Sequence, residues 1–182
     1  IMSTLNDLGY SVEAKVLNAL DYGLPQKRER VLIVGFKKEL KIEFKWPEPV
    51  DKQVSLDDIL ENDEVVDPKH FASEMILQRR QEQVVGKEIP PGRSIWHENK
   101  SGNVSPLPYS CALRAGASYN YLLVDGKRRL TPREMLRIQG FPETFVIACT
   151  DSATRKQAGN SVPVPMIQAV VQQTFSALIE KV

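Results

Sequence analysis

The chain has 182 residues, with 24 Lys or Arg against 23 Asp or Glu and a net charge of +1. That length fits one ordinary domain, or a small domain plus a piece of a larger one, and the near-neutral balance names no polyanionic partner by itself. No run approaches a membrane span, the N-terminus lacks a signal-peptide layout, and Cys111 and Cys149 form neither a disulfide framework nor a metal-ligand spacing with His70 or His97; a reducing cytoplasm is the expected setting.

Charge is unevenly placed. Asp57, Asp58, Glu61, Asp63, Glu64 and Asp67 make an acidic segment. Basic clusters stand at residues 27–30, 79–80, 127–129 and 155–156. A protein that binds a polyanion needs a basic face rather than a basic average. Short clusters of this kind are also common on ordinary surfaces.

Met2, Leu5 and Leu8 are spaced by three, so residues 1–8 read as the end of a helix capped by Gly9. No capping residue precedes it, so the chain is expected to be a piece cut from something longer. Residues 10–20 alternate loosely and read as a strand. After the turn at residues 21–25, residues 31–36 form an uninterrupted β-branched run, as expected of a strand buried on both faces. The two strands are expected to pair as a hairpin with a long connection. Side chains at i, i+2 and i+4 of an extended segment share a face, so Gln26, Arg28 and Arg30 point together. One amide and two guanidinium forks suit phosphate oxygens or a base carbonyl oxygen. Ordinary arginines at a surface strand end give the same pattern.

Residues 37–103 read as irregular and loop-rich, a plausible recognition surface. Within them Ser55 caps a short helix, residues 56–60, with acids in its first turn. Residues 71–84 have a helical pattern, and Pro90-Pro91-Gly92 is a stop. Residues 110–113 and 121–124 read as two short strands. They are joined by small residues and Arg114, a loop that lets another backbone come close. Asp125-Gly126 is a tight turn.

Residues 128–145 hold the least ambiguous local signal. Thr131 precedes Pro132, with Glu134 three residues on: a capping box with proline at the first helical position. Gly140 supplies a left-handed cap, and Pro142 forbids continuation. Lys127, Arg128, Arg129, Arg133 and Arg137 make the segment strongly basic. Further on, Asp151 or Ser152 caps a short helical turn ended by Gly159. In the last helix Ile167, Val170, Val171, Phe175, Leu178 and Ile179 recur at helical spacing, so it is expected to pack hard on a core. Asn160 and Ser161 lie at its N-terminal approach, where free N–H groups favour an anionic or hydrogen-bonding ligand, or else they cap the helix.

Three segments, in this order, resemble the last motifs of the DNA cytosine-5 methyltransferases. Residues 22–30, YGLPQKRER, resemble the family's Gln-x-Arg-x-Arg motif. RLTPRE at residues 129–134, continuing to QGFP at residues 139–142, resembles its ninth motif. QAGNSVP at residues 157–163 resembles its tenth. The stretch between the first and second is where the family places its variable target-recognition region.

That resemblance implies an α/β fold: the C-terminal edge of an S-adenosylmethionine-dependent, Rossmann-like sheet plus a small loop-rich target-recognition domain. Residues 1–36 would belong to the catalytic domain, 37–126 to the target-recognition region, and 127–182 to helices returning to the catalytic domain. The implied reaction flips a cytosine out of double-stranded DNA, because the chemistry cannot reach it inside the stack. A cysteine thiolate attacks C6, and C5 takes a methyl group from S-adenosylmethionine. The family's Gly-rich cofactor motif, Pro-Cys nucleophile loop and Glu-Asn-Val motif precede these segments and are missing here; Cys111 follows Ser110 and Cys149 follows Ala148. The chain is therefore expected to be a C-terminal fragment or split subunit, active only with an N-terminal half. The alternative is a non-catalytic, sequence-specific DNA-binding module derived from such an enzyme. Arg28 and Arg30 would meet the flipped base or a nearby phosphate, and Gln26 would hold their loop. Asn160, Ser161 and Val162 would close one side of the cofactor pocket. Arg114 is a candidate base contact, and Arg128 and Arg129 are candidate phosphate contacts. The helix after them would brace recognition domain against core, with Arg133 and Glu134 bonded internally. A core split in this way should leave apolar surface exposed.

Overall fold

The first helix of the computed structural model, α1 (Met2–Asp7), turns at Gly9, φ +89°, into strand β1 (Tyr10–Asn18). Residues 1–51 and 54–180 are described. A short helical turn (Ala19–Tyr22) ends at left-handed Gly23 and leads to β2 (Gln26–Lys27) and β3 (Glu29–Lys37). β1 and β3 pair antiparallel, from Tyr10 opposite Lys37 to Asn18 opposite Glu29. One face of this hairpin carries Leu17, Leu32 and Val34 into a cluster with Tyr22, Met166 and Val170. The other face is bare: Val31 and Ile33 are 65% and 42% exposed. The expectation of a strand buried on both faces is thus corrected. Among the described residues this sheet has only two strands, and Val16, Val31 and Ile33 on its second face stand exposed.

The middle of the chain holds more regular structure than its composition implied. Helices α2 (Leu56–Ile59) and α3 (Glu74–Val84) are followed by β4 (Ile95–Glu98), β5 (Val104–Leu107), β6 (Ser110–Cys111) and β7 (Leu122–Val124). β4 sits between β5 and β7, antiparallel to both. The two strands expected around Arg114 exist, but they do not pair with each other. β6 pairs parallel with β2, which stitches the hairpin arm to the middle unit, while β7 pairs with β4.

Helix α4 (Pro132–Ile138) has the anticipated capping box between Thr131 and Glu134, and Gly140 follows at φ +80°. Its Leu136 and Ile138 share one apolar cluster with Ile95, Leu122 and Val124, so packing runs straight across the expected junction between residues 126 and 127. Helix α5 (Asp151–Asn160) is capped by the Thr150 side chain, not by Asp151 or Ser152, and passes through Gly159 without stopping.

Helix α6 (Val164–Ile179) departs most from expectation. Only Met166 and Val170 are buried, and Phe175 and Ile179 stand 61% and 73% exposed. Its apolar stripe is wider than the hairpin can cover. Within residues Asp151–Ile179, one 18-residue window reaches the mean hydropathy of a membrane span, 1.3. The break at Ser161 divides them into two helices. The 16 residues of α6 fall short of the roughly 20 that a span requires.

Candidate functional site

Two buried side chains in the hairpin connection gather distant segments. Gln26 Nε2 donates to the Ile138 carbonyl (3.0 Å) and to Gln139 Oε1 (3.2 Å), and its Oε1 accepts from Leu113 N (3.3 Å). Gln139 continues the chain, donating to the Ala158 carbonyl at 2.6 Å. Arg28 is buried beside it. Its Nη1 donates to the Leu113 carbonyl (2.8 Å), and Nη2 to the carbonyls of Gly159 (3.0 Å) and Ser161 (2.7 Å). Burial, and then the nearby Arg30 charge, lower the Arg28 pKa to about 10, so it stays protonated at neutral pH. Arg28 is therefore a clamp, and the expectation that it meets a base or phosphate is corrected: both terminal nitrogens are already bonded to main-chain carbonyls.

Arg30 is different. The chain breaks between β2 and β3 at Arg28, and beyond the break the side chain emerges to solvent. Arg30 lies opposite Leu17 and shares its face. One nitrogen, Nη1, donates to the adjacent Glu29 carbonyl at 2.6 Å, and no other hydrogen-bond partner occupies the fork among the described residues.

Asn160 ends α5, and Ser161 and Val162 follow it in the turn to α6. The N-terminus of α6 is not the anion site that its position implied. Pro163 and Pro165 lack an N–H, and Val164 N is taken by the Gln139 carbonyl at 2.8 Å. The Ser161 hydroxyl donates to the Ala158 carbonyl at 2.8 Å. Asn160 and Val162 are exposed, and the Asn160 amide has no partner among the described residues. A free amide beside an apolar side chain fits one wall of a site for a polar cofactor with an aromatic ring. The other walls do not come from this turn.

Gly159 marks a close approach rather than a helix end. A Cβ there would lie 2.4 Å from Ala115 N and 2.9 Å from the Arg114 carbonyl carbon. Inside a helix, Gly→Ala ordinarily stabilises by up to about 1 kcal/mol. Here the obstructing atoms are backbone, so Gly159→Ala is expected to destabilise by about 1–3 kcal/mol. A raised urea midpoint for this variant would remove the close-approach argument.

The basic segment before α4 is mostly turned inward. Arg128 is fully buried; it makes two bonds to Glu134 (2.9 and 2.8 Å), one to Asp63 (2.6 Å) and one to the Glu61 carbonyl (2.9 Å). The expectation that it touches DNA phosphate is corrected, because no nitrogen of it reaches solvent. Within the acidic segment, Asp63 and the Glu61 carbonyl are its counterpart, while Asp57, Asp58, Glu64 and Asp67 stand exposed. Arg129 is half-buried and gives Nε and Nη2 to carbonyls of the turn at residues 69–71, leaving Nη1. Arg133 donates to the Phe145 carbonyl (2.9 Å), and Arg137 makes a bidentate pair with Glu143 (2.7 and 2.9 Å).

The loop after Leu113 is the remaining basic surface. Arg114 is exposed, with its guanidinium 4.8 Å above the Tyr121 ring and its N–H donated to the Tyr121 hydroxyl at 2.9 Å. Behind the loop is a cavity of about 260 Å³ bounded by His70, Met135, Asp151 and Arg155. Arg155 and Arg80 both bond carbonyls of this loop. The sequence did not single them out as functional, because a side chain aimed at a distant main-chain carbonyl leaves no local pattern.

The arrangement is that of the DNA methyltransferase fold. A mutant of Spodoptera frugiperda DNMT2 superposes with a TM-score of 0.71 at 18% identity, over 96% of this chain and 60% of that one. A putative DNA modification methyltransferase from an Escherichia coli prophage gives 0.69 at 18%, over 97% and 63%. At sequence level, residues 1–176 match the C-5 cytosine-specific DNA methylase family, and the chain belongs to it. It is 57% identical over 169 residues to the type II methyltransferase M.NgoBI of Neisseria gonorrhoeae, covering 93% of this chain and 52% of that protein. With M.HaeII of Haemophilus aegyptius it shares 54% over 178 residues, covering 98% and 55%. The chain thus spans about half the length of the curated relatives it matches. The family's methyl donor is S-adenosylmethionine.

Proposed function

We propose that this chain is the C-terminal portion of a sequence-specific DNA cytosine-5 methyltransferase, acting in the cytoplasm together with the N-terminal part of the enzyme. The observation that carries this reading is Arg28. One buried guanidinium joins the arm bearing Arg30, the loop beginning at Leu113 and the turn at residues 159–161. Those are the places where a flipped base, a DNA groove and a cofactor would be met.

S-adenosylmethionine, when bound, supplies the methyl group. Asn160, Ser161 and Val162 form one side of its pocket. The target cytosine must leave the stack to be reached. Arg30 offers its free N–H groups to the extruded ring's carbonyl oxygen, where negative charge grows as the ring is attacked. Arg128 is not part of this contact surface; Arg129 retains one nitrogen for a phosphate, and the loop carrying Arg114 faces the bases of double-stranded DNA.

The N-terminal part also answers to the bare surfaces. Val16, Val31 and Ile33 on the hairpin, and Val171, Phe175 and Ile179 on α6, are exposed large apolar side chains. A two-stranded hairpin is marginal alone, and its free edges are templates for further strands. The test is reconstitution. The isolated chain should transfer no methyl group, and adding the N-terminal part should restore transfer to cytosine in duplex DNA. Transfer by the isolated chain would sink the proposal. Sequence-specific DNA binding with no transfer after assembly would instead establish a binding module that has lost the chemistry.

A further inference from the structure

The loop from Leu113 to Asn120 is held by its own carbonyls. Arg28 bonds the Leu113 carbonyl at 2.8 Å. Arg155, from α5, bonds those of Ala117 (2.5 Å) and Ser118 (2.7 Å). Arg80, buried on α3, bonds that of Asn120 at 2.9 Å and is itself fixed by Glu98. Three guanidiniums, from the break between β2 and β3, from α3 and from α5, thus pull the loop's acceptors inward. Tyr121 then sets the one long basic side chain the loop carries, by accepting the Arg114 N–H and lying beneath its guanidinium. Arg114 is also the only arginine whose guanidinium has no hydrogen-bond or ion-pair acceptor among the described residues. Even the exposed Arg30 and Arg79 and the half-buried Arg133 have one.

We propose that Arg114 is a specificity-determining residue that reads a guanine of the recognition sequence, on a loop whose shape is fixed by Arg28, Arg80 and Arg155. This rests on the methyltransferase reading above and deepens it. Guanine presents two acceptors, O6 and N7, on its major-groove edge, and the planar arginine fork matches both at once. A phosphate needs only a cation and tolerates slack. An anchored loop and an aromatic platform serve a contact in which the plane of the fork matters. Pre-orienting the fork also reduces the freedom lost on binding.

The experiment uses the assembled enzyme after its methylated sequence has been mapped. Each guanine of that sequence is replaced in turn by 7-deazaguanine, which lacks the N7 acceptor, and duplex affinity is measured across a salt series. The native enzyme should lose about tenfold at one guanine. Arg114→Ala should bind the natural duplex about tenfold more weakly, be indifferent to the replacement at that guanine, and keep the native salt slope. Tyr121→Phe, which keeps the ring and loses the hydroxyl, should lose affinity partially and at the same guanine. Uniform weakening of Arg114→Ala on every duplex, with a salt slope shallower by about one, would make Arg114 a phosphate contact and overturn the inference. Persistence of the single-guanine penalty in Arg114→Ala would overturn it as well. An assembled enzyme that methylates nothing removes the proposed function, and this inference with it. Normal methylation with an unaffected Arg114→Ala variant removes this inference alone.

Discussion

Glu134→Ala is expected to lower folding stability by about 3–5 kcal/mol, the range for breaking a buried ion pair by deleting one partner. Glu134 is fully buried and accepts four hydrogen bonds: two from Arg128, one from Glu61 N and one from Thr131 N, the last two at 2.8 Å. Deleting the carboxylate leaves a buried guanidinium with Asp63 as its only remaining carboxylate, and strands two main-chain donors. Each stranded donor costs about 1–3 kcal/mol on its own. The loss should appear as a lower urea midpoint with an unchanged slope. Replacing both charges, Arg128→Met with Glu134→Leu, should be less damaging than Glu134→Ala, because no charge is then left uncompensated. Asp63 keeps a partner in that variant, since Arg93 also bonds it at 2.8 Å. A single-variant loss below about 1 kcal/mol would mean that water reaches the pair and that α4 is not braced by it.

The same network sets an acid limit. Burial alone would raise the Asp63 carboxyl, but hydrogen bonds and charge from Arg128 and Arg93 outweigh it and hold its pKa below the ordinary range. A carboxylate whose folded pKa is depressed contributes stability above its unfolded pKa, about 3.9. That contribution fades as the pH falls through the lower folded value. Asp63→Asn should therefore flatten the fall in stability below about pH 4 while leaving its shape above pH 6 unchanged.

What the sequence revealed depended on the range of the interaction. The Thr131–Glu134 box closes within one helical turn, so it could be read directly. The left-handed glycines at residues 9 and 140 are equally local. Arg128 could not be assigned in this way. Its partners Asp63 and Glu61 belong to an acidic run that looks solvated until the fold brings the two together. Gly159 gave the same signal that a helix stop gives, although its cause is the Ala115 backbone lying where a Cβ would sit. Residues 31–36 have the composition of a strand covered on both faces, yet β3 is covered on one. The motifs at Gln26–Arg30 and Asn160–Val162 could be recognised as a pair. That Arg28 closes on the turn while Arg30 remains outside follows from a one-residue break in the strand, which side-chain alternation alone does not show.

That break separates two arginines whose variants should fail differently. Arg30→Ala is expected to reduce turnover of the assembled enzyme by about 10²–10³, the usual cost of removing one donor aimed at a developing oxyanion. Its folding stability should change by no more than about 0.5 kcal/mol, as for other exposed positions without a structural bond. Among the described residues, the only hydrogen bond its side chain makes is to the carbonyl of Glu29, next to it in the chain. Arg28→Ala should do the reverse first. It leaves the carbonyls of Leu113, Gly159 and Ser161 without their shared donor, so stability falls before any catalytic effect can be read. Arg30→Lys restores the charge without the fork, and should recover part of the rate because charge is only one component of a bidentate contact. Single-turnover methyl transfer and urea unfolding, measured on the same preparations, separate the two roles. If Arg30→Ala turns over within about threefold of the native enzyme, a factor worth less than 1 kcal/mol, the oxyanion assignment fails and the exposed fork serves something other than the base.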